Sequence, residues 1–107
     1  MKRHVILVGL PGAGKTTVGK LVAERLGAPF VDTDAVLVRK MQMPVPRMFA
    51  EFGEQRFRQM EKEAMQQVLA GPPAVLAPGG GWVAQPGALE SVADSAFLIY
   101  LREMATT

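Results

Sequence analysis

Near the start of the chain, Gly9-Leu10-Pro11-Gly12-Ala13-Gly14-Lys15-Thr16 fits the pattern G-x-x-x-x-G-K-[ST]. Residues of these types at this spacing can hold a polyphosphate. The glycines let the backbone wrap closely around phosphate oxygens, and the amides and the N-terminus of the following helix point at the anion. Gly12, Ala13, Gly14, Lys15 and Thr16 are therefore candidates for nucleotide binding. Lys15 is placed to reach the β- and γ-phosphates, and the Thr16 hydroxyl to ligate Mg²⁺. The bare pattern also occurs by chance as a glycine-rich turn with an exposed lysine. Here it follows an apolar run and opens a helical pattern, which favours the phosphate reading.

Three further groups carry possible chemistry. Asp32 and Asp34 stand two apart at the end of a short extended segment, where such side chains share a face. One could hold Mg²⁺ through water, and the other could accept or orient a hydroxyl proton. Asp34 could equally cap the next helix. Arg56 and Arg58 flank Phe57, and Arg58 pairs with Glu61 at i,i+3. A guanidinium held in that way suits a substrate carboxylate. The same stretch also reads as a solvated helix face, since Lys62 and Glu63 follow. Gly79-Gly80-Gly81 permits close backbone approach by a ligand, or only a tight turn. Trp82 beside it reads as a packed indole, His4 as structural or exposed, and the methionines as core fillers.

These groups need elements to position them. Val5–Val8 is a continuous apolar run, as in a strand buried on both faces. A helix is expected from about Lys15 to Leu26, with Val18, Leu21, Val22 and Leu26 on one face and Gly27 as its stop. Pro29–Val31 reads as a second strand, and a helix follows from about Ala35 to Met41. Pro44 and Pro46 start a short helix that Gly53 closes. Another helix runs from Glu54 to Leu69, with Phe57, Met60, Ala64 and Val68 along one side. Ala74–Ala77 and Ala96–Leu101 read as strands, and Pro86–Ala93 as a helix. Strands alternating with helices predict an α/β fold, a parallel sheet with helices on both faces. Ligands of such sheets sit beyond the carboxyl ends of the strands. Gly9, Asp32 and Gly79 all lie just past such ends.

The chain has 107 residues, 49% hydrophobic and 21% charged, which suits one globular domain rather than a disordered segment. Its net charge of +2, with no basic run longer than two residues, fits a small anionic ligand at least as well as nucleic acid. There are no cysteines, so disulfides, thiolate metal sites and cysteine nucleophiles are excluded. Met1-Lys2-Arg3 precedes an apolar run too short for a signal peptide. No segment reaches the roughly 20 apolar residues of a membrane span. A cytoplasmic protein is the expectation.

Taken together, the chain resembles the shikimate kinase family. The stretches that carry the resemblance are Leu7–Thr17, Asp32-Thr33-Asp34, Met48-Phe49 leading to Gly53-Glu54, Phe57-Arg58-x-x-Glu61, and Gly79-Gly80-Gly81. The resemblance implies a phosphate-loop fold like that of nucleoside monophosphate kinases, with Mg²⁺ as cofactor and a monomer at full length. It implies transfer of the γ-phosphate of ATP to the 3-hydroxyl of shikimate, in aromatic amino-acid synthesis. It extends the nucleotide site to Thr17 and makes Lys15 and Asp34 the catalytic pair. It gives Asp34, Arg58, Gly79, Gly80 and Gly81 to shikimate, with Arg58 on the carboxylate, and Thr16 and Asp32 to the metal. Met43-Pro44-Val45-Pro46 is richer in proline than the family's usual segment. The family also continues past the fourth strand with a lid arginine, a second carboxylate-binding arginine and a last strand. Arg102 is no substitute for these, so residues 1–107 read as a phosphate-loop kinase domain incomplete at its C-terminal end. The alternatives are another small-molecule kinase of the same architecture, such as a gluconate kinase, or a nucleotide-binding fragment with impaired catalysis.

Overall fold

The computed structural model describes residues 3–9, 13–79 and 81–101. Four strands form one parallel sheet: β1 (His4–Gly9), β2 (Phe30–Asp32), β3 (Val75–Ala77) and β4 (Ala96–Leu101), in the order β2-β3-β1-β4. Four helices alternate with them: α1 (Ala13–Leu26), α2 (Thr33–Met41), α3 (Val45–Ala70) and α4 (Ala88–Val92). Alternation along β1 divides the core. Leu7 joins Val75 and Ala23 on the face that α1 covers. Ile6 and Val8 join Leu76, Met65, Trp82 and Val92 on the opposite face, under α3 and α4. A third cluster, built on Leu37, Met48, Phe57 and Met60, fastens α2 to α3. The expected parallel sheet with helices on both faces is thus present, Trp82 is a packed indole, and Met48, Met60 and Met65 fill core positions.

Two expectations need correction. The stripe of α1 is not Val18, Leu21, Val22 and Leu26, because Leu21 and Leu26 are 56% and 60% exposed. The buried positions are Lys15, Gly19 and Ala23, at i, i+4 and i+8. A Cβ on Gly19 would lie 2.7 Å from Phe30 Cδ1, so small residues face the sheet and let the helix sit close to it. Asp32 and Asp34 do not share an extended segment either. Helix α2 begins at Thr33, so Asp34 already lies in its first turn. Asp32 rather than Asp34 is the N-cap: its Oδ1 accepts from the amides of Asp34 (2.9 Å) and Ala35 (3.2 Å).

Helix α3 is two helical runs joined at Gly53, whose φ of 82° and ψ of 161° leave the helical region. The break falls where glycine is expected to close the first run, and the second run carries Phe57, Arg58 and Glu61. His4 is buried, and its Nε2 meets the Val68 carbonyl at 3.0 Å, tying the start of β1 to the end of α3. The structural reading of this histidine holds.

Candidate active site

The carboxyl ends of β1, β2 and β3 bring the three loops to one rim. Ala13 and Gly14 open α1, and Lys15 follows in its first turn. Lys15 is 7% exposed, and its Nζ donates to the Pro78 carbonyl at 3.3 Å. A buried ammonium is costly without partners, so this carbonyl holds the cation just past the end of β3. Lys15, Thr16, Asp32, Asp34, Pro78 and Gly79 line a cleft of about 130 Å³. Thr17 is exposed and does not line it. Gly12 and Gly80 lie outside the described residues, as does Arg102.

The neighbouring side of the rim is built by α3. Arg58 Nη1 donates to Glu61 Oε1 at 3.2 Å, and Glu54 stands 3.8 Å from Nη2. Arg58 also lies over Phe49 and Phe57, 5.4 and 5.5 Å from the ring centroids. The two rings are stacked at 4.5 Å. Cation–π contact and a carboxylate therefore fix the guanidinium before any ligand arrives. Phe49 belongs to this cradle, a role that its place in the sequence did not announce. Arg56 is exposed and lies in a separate groove between α2 and α3, with Lys40.

The glycines have a steric reason. A Cβ on Gly79 would stand 2.6 Å from Glu61 Oε2 and 2.8 Å from Asp34 Oδ1. One on Gly81 would stand 2.8 Å from Arg58 Cζ. The loop after β3 therefore runs hard against the three charged groups, and a side chain at either glycine would have to push them aside. Glu61 was legible as the partner of Arg58. Its approach to Asp34 was not, because only the fold brings α3 beside the start of α2.

Burial pushes the Asp34 carboxyl above its ordinary value, and Asp32 beside it pushes the same way, while Arg58 and Lys15 oppose. Burial raises Glu61 as well, against the hydrogen bond and charge of Arg58 and the backbone amide of Gly79, with Asp34 adding to the rise. Asp34 Oδ1 is buried without a hydrogen-bond partner, whereas the Gly79 backbone amide faces the Glu61 carboxylate. Asp34 lines the cleft, so its unpartnered oxygen is an acceptor open to something that binds there. The arrangement can place a phosphate against Lys15, a hydroxyl against Asp34 and a carboxylate against Arg58.

A family model described as shikimate kinase matches residues 11–106. The chain belongs to the shikimate kinase family. It is 40% identical over 106 residues to the shikimate kinase of Mycobacterium avium, covering 99% of this chain and 60% of that protein. It is 50% identical over 76 residues to that of Thermobifida fusca, covering 71% and 44%. Its structure is similar to that of the shikimate kinase from Acinetobacter baumannii in complex with shikimate, with a TM-score of 0.85 at 37% identity. That match covers 94% of this chain and 56% of the other. The fold is thus that of the phosphate-loop kinases. The chain spans about half the length of the shikimate kinases it matches. Among the described residues, no helix is long and apolar enough to cross a membrane.

Proposed function

We propose that the chain supplies the phosphate loop and the acceptor-binding rim of an enzyme that transfers the γ-phosphate of ATP to the 3-hydroxyl of shikimate. The observation that carries this reading is the cleft shared by Lys15 and Asp34, with Arg58 fixed beside the same glycine loop. A phosphate donor and a hydroxylated carboxylic acid can then meet on one rim. The related structure from Acinetobacter baumannii, which is a complex with shikimate, supports that choice of acid.

Lys15 neutralises charge on the transferring phosphate, and most of the catalysis of phosphoryl transfer is of this kind. Asp34 accepts the hydroxyl proton or orients the hydroxyl. Its raised pKa makes it a better base than an exposed aspartate. Arg58 takes the carboxylate, and Gly79 and Gly81, with Gly80 between them, let the ring approach. The oxygens of Thr16 and Asp32 fit Mg²⁺, which binds few protein ligands and keeps its waters. Asp32 Oδ1 is taken by the helix cap, leaving its other oxygen for a water of that ion. When bound, the ion neutralises phosphate charge. The use of ATP supports a cytoplasmic location.

Calorimetric titration with shikimate tests the acceptor assignment. Arg58→Ala should weaken shikimate binding about tenfold or more, the usual loss for a charge-assisted bond, and leave ATP binding unchanged. Equal losses for both ligands would place Arg58 away from the carboxylate. Gluconate binding as tight as shikimate would favour the gluconate-kinase reading.

A further inference from the structure

Gln55, Arg58, Gln59 and Lys62 fall at i, i+3, i+4 and i+7 and so share one face of α3. Across from them stand Trp82, Gln85 and Ser91, and the two sides enclose a cavity of about 420 Å³. Lys15, Thr16 and Asp34 take no part in it; they line the cleft on the rim. Arg58 is the wall that adjoins the acceptor side.

Lys62 brings unpaired positive charge to this cavity. Lys62 makes no ion pair among the described residues, whose three ion pairs involve only Arg47 and Arg58. Arg58 is paired with Glu61, yet its Nε is buried without a partner. Glu54, 3.8 Å from Arg58, is 72% exposed. Gln85 is already committed, with Nε2 donating to the Gly81 carbonyl at 3.2 Å, and Ser91 donates to the Ala88 carbonyl. The amides of Gln55 and Gln59 make no side-chain hydrogen bond among the described residues. The unpaired Lys62 ammonium, the unpartnered Arg58 Nε and two free amides on one wall provide donors and positive charge for an oxyanion, and Lys and Arg are residues that bind phosphate.

We propose that this cavity is a second anion site, separate from the phosphate loop, that takes the phosphate group of a small organic phosphate. Lys62 supplies the main charge and the exposed glutamines the further donors. The volume accommodates more than a bare phosphate. Because Arg58 adjoins the acceptor side, an occupant there draws on the guanidinium that the acid substrate also uses.

The test needs neither ATP nor an acceptor, so it stands apart from the kinase reading. Inorganic phosphate is titrated against the chain in a Lys15→Ala background, which removes the phosphate-loop cation. Trp82, the chain's single tryptophan, lines the cavity and reports by fluorescence. The amide shifts of Gln59, Lys62 and Ser91 give a second readout if the indole is silent. A saturable response that survives Lys15→Ala and weakens about tenfold or more on adding Lys62→Ala is the expected result. Lys62 is exposed on a helix, where alanine is the best helix former, so unchanged circular dichroism confirms that the double variant folds. Loss of the response with Lys15→Ala alone would overturn the proposal. So would a response indifferent to Lys62→Ala, or one that never saturates, which marks an adventitious ion only.

Discussion

Asp34 and Glu61 are both brought against Gly79, and burial holds both carboxyls above their ordinary values. For Glu61 the consequence for stability has a definite sign. The folded chain holds the Glu61 proton more tightly than the unfolded chain does, so folding is favoured while the group is protonated. That contribution is fully present below the ordinary value of 4.5 and is lost as pH rises through the raised folded value. Glu61→Gln cannot titrate, yet its carbonyl can still accept from Arg58. The stability of this variant relative to the parent chain should therefore increase as pH rises from 4.5 to neutrality. Urea unfolding at a series of pH values measures it, and a relative stability that stays flat or falls would show that Glu61 is not strained by burial. Asp34→Asn should lower turnover while leaving ATP affinity nearly intact; lost ATP affinity would move Asp34 to the metal. At this scale the sequence was informative about identity and silent about distance. Lys15, Thr16, Asp34, Arg58 and Glu61 could all be picked out from motif and local spacing. The Phe49 ring beneath Arg58 could not, because it lies across the Gly53 break.

The cap of α2 makes separable claims about Asp32. As N-cap it satisfies the amides of Asp34 and Ala35, and removing such a cap costs about 1 kcal/mol. Asp32→Ala should lower the unfolding free energy by about that amount. Asp32→Asn keeps a capping oxygen and should stay near parental stability. If Asp32 also supports Mg²⁺, both variants should lose Mg²⁺-dependent ATP affinity. Equal stability losses in the two variants would deny the cap, and unaltered Mg²⁺ dependence would deny the metal role. Two misreadings belong to this scale. A strand end and a helix first turn look alike when a short polar segment is read by itself, so Asp34 was placed one element too early. In α1 the larger apolar residues suggested a stripe, but the close helix–sheet contact selects Gly19 and Ala23, and hydrophobicity alone does not reveal which face comes close.

For the whole molecule, strand–helix alternation was enough to predict a parallel sheet and a rim at its carboxyl end. It did not supply the order β2-β3-β1-β4, which depends on pairings distant in sequence. That order sets β1 beside β3, so Lys15 can reach the Pro78 carbonyl, and it sets β2 beside β3, so Asp32 and Asp34 face the same loop. The site is thus a product of topology acting on short, locally legible motifs. Phosphoryl transfer in a single turnover tests the central claim most directly. The chain is held in excess over ATP with Mg²⁺ and shikimate, and the product is read by phosphorus NMR. Shikimate-dependent transfer to the 3-hydroxyl that is abolished in Lys15→Ala is the predicted result, because the proposed mechanism relies on Lys15 for the fixed positive charge on the transferring group. ATP hydrolysis indifferent to shikimate, or transfer that survives Lys15→Ala, would contradict it.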